Sequence, residues 1–360
     1  MNNINVKMKA DLKNAIPGLL LTLVIAIISF VTWWYLKGTW LKFSALLWAF
    51  IFSIIVVNIK PKLFEGRLKS GAEFSSTKLL RYAIALLGLT VNAAVWLKLW
   101  PIGVAVVLIN LILVFGLGIL ICKYILKLDD ALSLLIAVGT GICGASAIAA
   151  VGPALKAKAE QMGLAIAAIT LFGLVAMFSY PLLYSGVLSG WLNNNPLAFG
   201  MWAGTGIHET AQVIAAASQV DKALAIATSA KFIRIFMIGP MVFVCLWLFR
   251  RFTPGGEKGS FKIAIPWFAI FFIVFCLLNT ILVNDRNSDF VKSWSNFNSI
   301  YISPAITFLL AWAFAGVGLK VKIATIRSLG LKAFLGGMAV AIVAGVTSLL
   351  LVKFLWLPLQ

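Results

Sequence analysis

The chain has 360 residues, of which 62% are hydrophobic and only 11% are Asp, Glu, Lys or Arg. An ordinary soluble domain has about 25% charged residues, so the composition excludes a soluble globular fold and indicates a protein embedded in a lipid bilayer. The net charge of +19 would suggest nucleic acid as the partner of a soluble protein. Here the basic residues lie mostly between apolar runs, so no nucleic-acid partner is expected.

A helix needs about 20 apolar residues to cross the hydrocarbon core, and eleven candidate spans follow one another along the chain. They are 16–36, 42–59, 79–97, 101–122, 131–155, 161–189, 198–219, 222–249, 263–283, 297–319 and 331–355. The first run is too long for a signal-peptide core, so we expect it to be retained. The sequence thus predicts an all-α polytopic membrane protein in which residues 1–360 form one integral membrane domain.

The distribution of basic residues predicts the orientation of these spans. If the N-terminus is cytoplasmic and each candidate crosses once, the cytoplasmic segments hold 19 of the 30 Lys and Arg residues and the outer segments hold nine. Cytoplasmic loops normally carry the excess of positive charge. We therefore expect a multi-pass protein of the bacterial inner membrane with its N-terminus in the cytoplasm.

Two short sequences occur twice in the chain. Residues 139–142 (Gly-Thr-Gly-Ile) recur at 204–207, and residues 87–91 (Leu-Gly-Leu-Thr-Val) resemble 317–321 (Val-Gly-Leu-Lys-Val). The second pair would run in opposite directions through the membrane, which fits an inverted-topology repeat. The first pair would run in the same direction, so either one of these spans is re-entrant or the motif arose locally.

The first glycine-rich segment, 139–147, is unusual for a membrane helix. Its candidate site residues are Gly139, Thr140, Gly141, Cys143, Gly144 and Ser146. Each glycine in a helix interior costs about 1 kcal/mol relative to alanine, and transport proteins use such sequences to break a helix at mid-membrane. The N-terminus of a half-helix then offers backbone N–H groups to an anion. The alternative interpretation is close packing of helices through small residues.

The second glycine-rich segment, 204–212, adds ionisable groups. Its candidate site residues are Gly204, Thr205, Gly206, His208, Glu209 and Gln212. His208 is the single histidine of the chain, and Glu209 is the one acidic residue that falls inside a predicted span. Ionisable groups are costly in a bilayer and indicate function, and a His beside a Glu can relay protons near neutral pH. The alternative is a structural hydrogen-bond cluster between helices.

The third segment, 229–234, places two cations inside the next predicted span. Lys231 and Arg234 are three residues apart and therefore lie on neighbouring faces of a helix. Two buried cations and one buried acid leave a positive charge that an anionic substrate would neutralise, with Arg234 binding it as a bidentate fork. The alternative is that Glu209 pairs with one cation while the other reaches toward the membrane interface.

Enzymatic and metal chemistry have little support in the sequence. H-E-x-x-H, G-x-S-x-G and P-loop sequences are missing, and there is no second histidine for a metal. Cys122, Cys143, Cys245 and Cys276 lie in apolar runs without paired spacing, so we expect thiols outside any disulfide. We therefore predict no catalytic activity and no bound metal or cofactor. The alternative is an enzyme in which Cys143 and His208 form a nucleophile pair.

Three segments resemble the YeiH-type membrane proteins, often called the sulfate exporter family. They are 139–153 (GTGICGASAIAAVGP), 202–217 (WAGTGIHETAQVIAAA) and 231–240 (KFIRIFMIGP). The resemblance extends over nearly the whole chain. It implies an inner-membrane carrier of the sodium–proton antiporter and bile-acid-symporter type, with two inverted repeats and discontinuous helices that cross at mid-membrane. The parallel direction of the two Gly-Thr-Gly sequences departs from that pattern.

The resemblance implies export of sulfate or a small organosulfonate, and it places the functional residues in the same three segments. The predicted function is therefore a secondary transporter of a small anion, with His208 and Glu209 coupling it to protons. One alternative is a cation–proton antiporter that uses Glu209, with a proton or sodium as the coupling ion. The other is a membrane protein that does not transport. Many carriers of this size dimerise, so a homodimer is a further expectation.

Overall fold

The computed structural model describes residues 2–36, 43–64, 66–92, 101–252, 267–283, 289–324 and 330–359. Within these ranges the chain is helical and forms no strand, which confirms the all-α class. The helices are α1 (Asn2–Leu36), α2 (Ala45–Ile59), α3 (Arg67–Phe74), α4 (Leu80–Leu87), α5 (Ile102–Ile119), α6 (Asp130–Gly141), α7 (Ala145–Ala154), α8 (Ala159–Leu183), α9 (Pro196–Gly206), α10 (Thr210–Ala217), α11 (Ala223–Phe236), α12 (Ile238–Phe252), α13 (Trp267–Val283), α14 (Asp289–Phe297), α15 (Ser303–Gly318) and α16 (Leu331–Leu351).

Several of these helices are extended by a tighter or wider turn. Five π-helical turns are Ser75–Leu79, Leu120–Ile125, Tyr184–Leu188, Asn298–Ile302 and Val352–Trp356. Short 3₁₀ turns are Pro61–Phe64, Gly88–Thr90 and Leu357–Leu359, and one helical turn is Ser189–Trp191. Parts of three predicted spans, at 42, 93–97 and 263–266, lie outside the described residues.

Five helical stretches in the described ranges are long and apolar enough to cross a bilayer. They are Ala15–Leu36, Ile102–Ile125, Ala159–Trp191, Val291–Gly318 and Leu331–Leu359. A sixth is counted if α11 and α12, which meet at 45°, cross as one bent span. The apolar helices α2, α6, α7 and α13 are shorter, and α6 and α7 share the single predicted span 131–155 because the chain breaks within it. The count of eleven therefore stays a prediction.

The chain forms two compact units. The first comprises Met1–Ala94 and Trp267–Thr325, and the second comprises Val95–Pro266 and Ile326–Gln360. The first unit thus contains α1–α4 and α13–α15, whereas the second contains α5–α12 and α16. All three segments that carry the predicted site residues belong to the second unit.

The first unit contains both copies of the sequence Gly-Leu-x-Val, and the glycine of each copy packs on a neighbouring helix in the same way. A Cβ added to Gly88 would stand 2.2 Å from the carbonyl oxygen of Phe272 on α13. A Cβ added to Gly318 would stand 2.6 Å from the carbonyl oxygen of Phe50 on α2. Since no side chain fits in either contact, both positions require glycine.

The valine of each copy is bound by an asparagine from the helix on which the glycine packs. The Asn279 amide donates to the carbonyl oxygen of Val91 at 3.2 Å, and the Asn58 amide donates to that of Val321 at 2.9 Å. Both hydrogen bonds satisfy a carbonyl just beyond the end of a helix, where no intrahelical donor exists. The two sequences therefore have equivalent surroundings, as expected for an internal repeat.

Replacing Asn279 by alanine should destabilise the first unit. Asn279 also accepts hydrogen bonds from Trp294 Nε1 at 3.0 Å and from the Asn298 amide at 3.3 Å, so the substitution removes a partner from three groups at once. Each buried polar group left without a partner costs about 1–3 kcal/mol, and we expect a lower melting temperature of the purified protein. Leu278→Ala, at an exposed position of the same helix, is the control. An equal loss in both variants would contradict this prediction.

The second unit has its most buried helices at the two glycine-rich segments. Every residue from Ala131 to Gly141 is buried, as are residues 198–206 of α9 and 211–217 of α10. Helices buried on all sides pack closely through small residues. On α9, Gly200 and Gly204 face the backbone of α11, where an added Cβ would stand 2.6 Å and 2.5 Å from carbonyl oxygens. This packing explains the Gly- and Ala-rich composition of this region.

Candidate functional site

The first helix break separates α6 from α7. Helix α6 ends at Gly141, and Ile142 leaves the helical conformation with φ −116° and ψ −88°. Gly144, with φ 72° and ψ −129°, then precedes α7, in a conformation that glycine adopts without steric cost. Because Gly144 has no side chain, it cannot cap the first N–H groups of α7, which have no acceptor within their own helix.

The second helix break separates α9 from α10. Helix α9 ends at Gly206, and Ile207 is extended, with φ −82° and ψ 147°. Glu209, also extended, precedes α10 and forms a capping box with Gln212. In this arrangement, the Gln212 side-chain oxygen accepts a hydrogen bond from the Glu209 N–H at 3.2 Å. An acidic residue thus stands at the N-terminus of α10, where the helix dipole favours negative charge.

The Glu209 side chain also reaches the start of α7. A Cβ added to Gly144 would stand 2.4 Å from Glu209 Cγ and 3.2 Å from its Oε1. The Thr170 hydroxyl of α8 donates to Glu209 Oε1 at 3.2 Å, and the Gln212 amide donates to the Thr170 carbonyl at 3.2 Å. Gly173 leaves room for Gln212 on α8. One carboxylate therefore lies at the N-terminal ends of two half-helices.

Lys231, on α11, lies at the C-terminal end of α9. Its side chain is fully buried, and Nζ donates to the carbonyl oxygen of Ile207 at 2.9 Å and to that of His208. Carbonyl groups at a helix C-terminus have no intrahelical donor and carry partial negative charge. The ammonium group therefore satisfies the backbone of the second break.

Arg234, one turn further along α11, joins the two breaks. Its Nε donates to the Gly141 carbonyl at 2.7 Å and Nη2 to the Thr140 carbonyl at 2.5 Å, both at the end of α6. Its Nη1 donates to the carbonyl of Thr205 and, at 3.3 Å, to that of Ile207, at the end of α9. A single buried guanidinium thus holds the C-terminal ends of both half-helices.

These contacts bear on the predicted roles of the two cations. Sequence reasoning expected Lys231 and Arg234 to contact a substrate directly, with a salt bridge to Glu209 as the alternative. The structure places their N–H groups on backbone carbonyls, which neither interpretation includes. Their positive charge stays in the site, while a direct contact with substrate stays a prediction.

Three buried polar atoms at the breaks have no hydrogen-bond partner among the described residues. They are Thr140 Oγ1 and both ring nitrogens of His208. Thr140 has no exposed surface and His208 is 1% exposed. A buried polar group without a partner costs about 1–3 kcal/mol, and in native proteins such groups indicate a functional contact or a bound molecule. At these atoms a bound molecule or water would complete the hydrogen bonding of the breaks.

The remaining predicted residues divide into packing and exposed positions. An added Cβ would stand 3.0 Å from Ile148 at Gly139 and 2.9 Å from the Tyr180 hydroxyl at Gly206, so close packing accounts for these glycines. Cys143 is buried with its Sγ 2.8 Å from Ser146 Oγ, whereas Ser146 itself is exposed. Of the predicted site glycines, only Gly144 has a positive φ.

A polar network that the sequence analysis missed fixes the end of α9. The Asn110 amide of α5 donates to the Thr205 carbonyl at 2.9 Å, and the Thr347 hydroxyl of α16 donates to Asn110 Oδ1 at 2.7 Å. Ser348 bonds the Thr205 hydroxyl and donates to the Trp202 carbonyl at 3.2 Å. A lone asparagine within the apolar run 102–119 is the signal that would have identified Asn110. Thr170 offered no comparable signal.

The described residues were also compared with the geometry of metal sites and disulfides. Among the described residues, no three His, Cys, Asp or Glu side chains group as metal ligands. The four cysteines are buried, and none of them forms a disulfide.

Taken together, the long apolar helices and the buried breaks define a multi-pass α-helical membrane protein with its candidate site inside the second unit. The family described as Conserved hypothetical protein 698 matches residues 17–337. The chain belongs to this family.

Several relatives share most of the chain. A UPF0324 membrane protein of Pseudomonas aeruginosa is 33% identical over 91% of this chain and 90% of its own length. The UPF0324 inner membrane protein YeiH of Salmonella typhimurium is 31% identical over 90% of this chain and 89% of its own. The resemblance to YeiH-type proteins is therefore confirmed. No solved structure matches the chain.

Proposed function

We propose that the protein is a secondary transporter that exports a small oxyanion, such as sulfate or an organosulfonate, across the bacterial inner membrane. The proposal includes eleven spans, an inverted-repeat carrier fold and a cytoplasmic N-terminus. A homodimer also remains a prediction. The name of the Salmonella typhimurium relative, an inner membrane protein, supports the location.

The observation that carries the proposal is the sign of the charge at the two breaks. Lys231 and Arg234 are fully buried there, and among the described residues Glu209 is the one carboxylate that accompanies them. The two cations outweigh the negative C-terminal ends of α6 and α9, each equivalent to about half a charge, and the N-terminal ends of α7 and α10 add positive charge of the same size. An anion would be attracted to such a site, and a cation would be repelled.

The proposed contacts of the anion are the backbone N–H groups at the starts of α7 and α10. Helix N-termini bind sulfate and phosphate without further cations, which suits a site whose Lys231 and Arg234 are already bound to carbonyls. Ser146, in the first turn of α7, would add an exposed hydroxyl donor. In this arrangement, the two cations stabilise the anion by their field and hold the breaks in place.

A ligand-stability screen tests the proposal. We expect one sulfur oxyanion among sulfate, sulfite, thiosulfate, sulfoacetate and taurine to raise the melting temperature of the purified protein, because a ligand of the native state stabilises it by mass action. Ser146→Ala should reduce the shift, whereas Ser185→Ala, at another exposed serine of the same unit, should not. Proteoliposomes loaded with the labelled anion should then release it. No shift with any anion would contradict the proposal.

A cation–proton antiporter is the second candidate, because Glu209 and the Thr170 hydroxyl form a pair of oxygen ligands 3.2 Å apart. In that case sodium would raise the melting temperature in the same screen and the sulfur oxyanions would not. Glu209→Gln would abolish the effect of sodium. The unequal numbers of buried cations and carboxylates favour the anion carrier.

A further inference from the structure

We infer that Glu209 is a resident anion, which occupies the place of the substrate until its carboxylate takes up a proton. The inference rests on the proposed function. It adds a mechanism by which binding of the anion is coupled to the uptake of a proton. The substrate and the ionised carboxylate use the same helix N-termini in turn. One proton from the solvent binds to a Glu209 oxygen as the anion enters, and it leaves when the anion leaves.

The position of the carboxylate is the first step of the argument. Glu209 caps α10 and at the same time lies against Gly144, the residue that precedes α7. These are the two N-termini that would bind an anion in the proposed site. A second negative charge cannot approach them without repulsion from the first. A protonated Glu209 removes that repulsion and leaves the helix dipoles to the substrate.

The other charged groups around Glu209 cannot perform this role. Besides Glu209, the buried ionisable side chains that are linked electrostatically at the breaks are Cys143, Tyr180, His208, Lys231 and Arg234. Lys231 and Arg234 are held by carbonyl groups of the breaks, and the charge of Lys231 attracts Glu209. Glu209 is the one carboxylate of this group. Its protonation is therefore the direct way to change the charge at the helix N-termini.

The orphaned atoms supply an independent sign of a ligand. His208 directly precedes Glu209, and Thr140 lies two residues before the first break. Arg234 bonds the backbone of Thr140 and that of Ile207, so both breaks meet at one guanidinium. The His208 ring nitrogens and the Thr140 hydroxyl lack partners among the described residues, as expected where an oxyanion or its hydration water would bind.

Calorimetry with sulfate on the purified full chain tests the inference. Sulfate keeps its charge between about pH 5 and pH 8, so a change of affinity in this range comes from the protein. In the wild type, sulfate affinity should fall about tenfold per pH unit where the carboxyl titrates, with uptake of about one proton per sulfate bound. Buffers of different ionisation enthalpy measure that uptake directly, without any variant.

Glu209→Gln should bind sulfate without a pH slope and without proton uptake. Glu160→Gln removes an exposed carboxylate at the start of α8 and should keep the wild-type slope. Sulfate binding that is independent of pH in the wild type would overturn the inference. So would a slope that survives in Glu209→Gln but is lost in His208→Gln. If neither sulfate nor any other oxyanion binds at any pH, the proposed function itself fails.

Discussion

Arg234→Met should melt far below the wild type, with a loss of at least about 3 kcal/mol of stability. The guanidinium donates to carbonyls at the ends of both α6 and α9. Methionine fills a similar volume but donates nothing, so several buried carbonyls lose their donors together. Native stability is only about 5–15 kcal/mol, and we expect a large fraction of the variant to be unfolded when its melting is followed by intrinsic fluorescence.

Two further variants separate charge from hydrogen bonding at this position. Arg234→Lys keeps the charge but can reach fewer carbonyls than the fork of arginine, so its stability should lie between those of Met and Arg. Arg250→Met, at an exposed position on α12, should melt like the wild type. An Arg234→Met protein that melts normally but no longer binds anions would instead support the direct substrate contact predicted from the sequence.

The helix breaks could be predicted because their cause is local. Glycines clustered within a few residues weaken a helix wherever the segment lies, and the chain does leave the helical conformation at Ile142 and Ile207. The two predictions for such a cluster, a broken helix and close packing, turned out to be compatible. Gly144 permits the break, whereas Gly204 packs against α11.

The partners of the two cations could not be predicted from the sequence. Arg234 bonds the Gly141 carbonyl 93 residues away, and backbone carbonyls carry no sequence signal. Residue types alone indicated a surplus of buried positive charge, and the structure agrees. Which acceptor each cation binds depends on how the helices pack, so the sequence left a substrate and an acidic side chain as alternatives and did not indicate a helix end.

The likeness of the segments 87–91 and 317–321 was visible in part. The sequences 87–91 and 317–321 were recognised from their glycine and valine residues, which the structure places in matching contacts. Asn58 and Asn279 complete the match but stand in unrelated sequences on α2 and α13, so comparison of sequence segments could not pair them. The count of eleven spans was less secure, because α6 and α7 are both too short to cross alone.

Gly144→Ala should cause both a loss of stability and a change in the pH dependence of anion binding. Alanine at φ 72° is strained by about 1–3 kcal/mol, and its Cβ would stand 2.4 Å from Glu209 Cγ. The Glu209 side chain must therefore move away from the start of α7. We expect a lower melting temperature, and sulfate binding whose pH dependence differs from that of the wild type.

Gly66 offers a matched control for this substitution. It precedes α3 with φ 66° and ψ −126°, nearly the conformation of Gly144, but an added Cβ there would have no atom within 4 Å. Gly66→Ala should therefore show the cost of backbone strain alone and leave sulfate binding unchanged. The difference in melting temperature between the two variants measures the contact with Glu209. Both variants could instead lose the same stability and bind sulfate as the wild type does. In that case the position of the Glu209 side chain beside α7 affects neither stability nor sulfate binding.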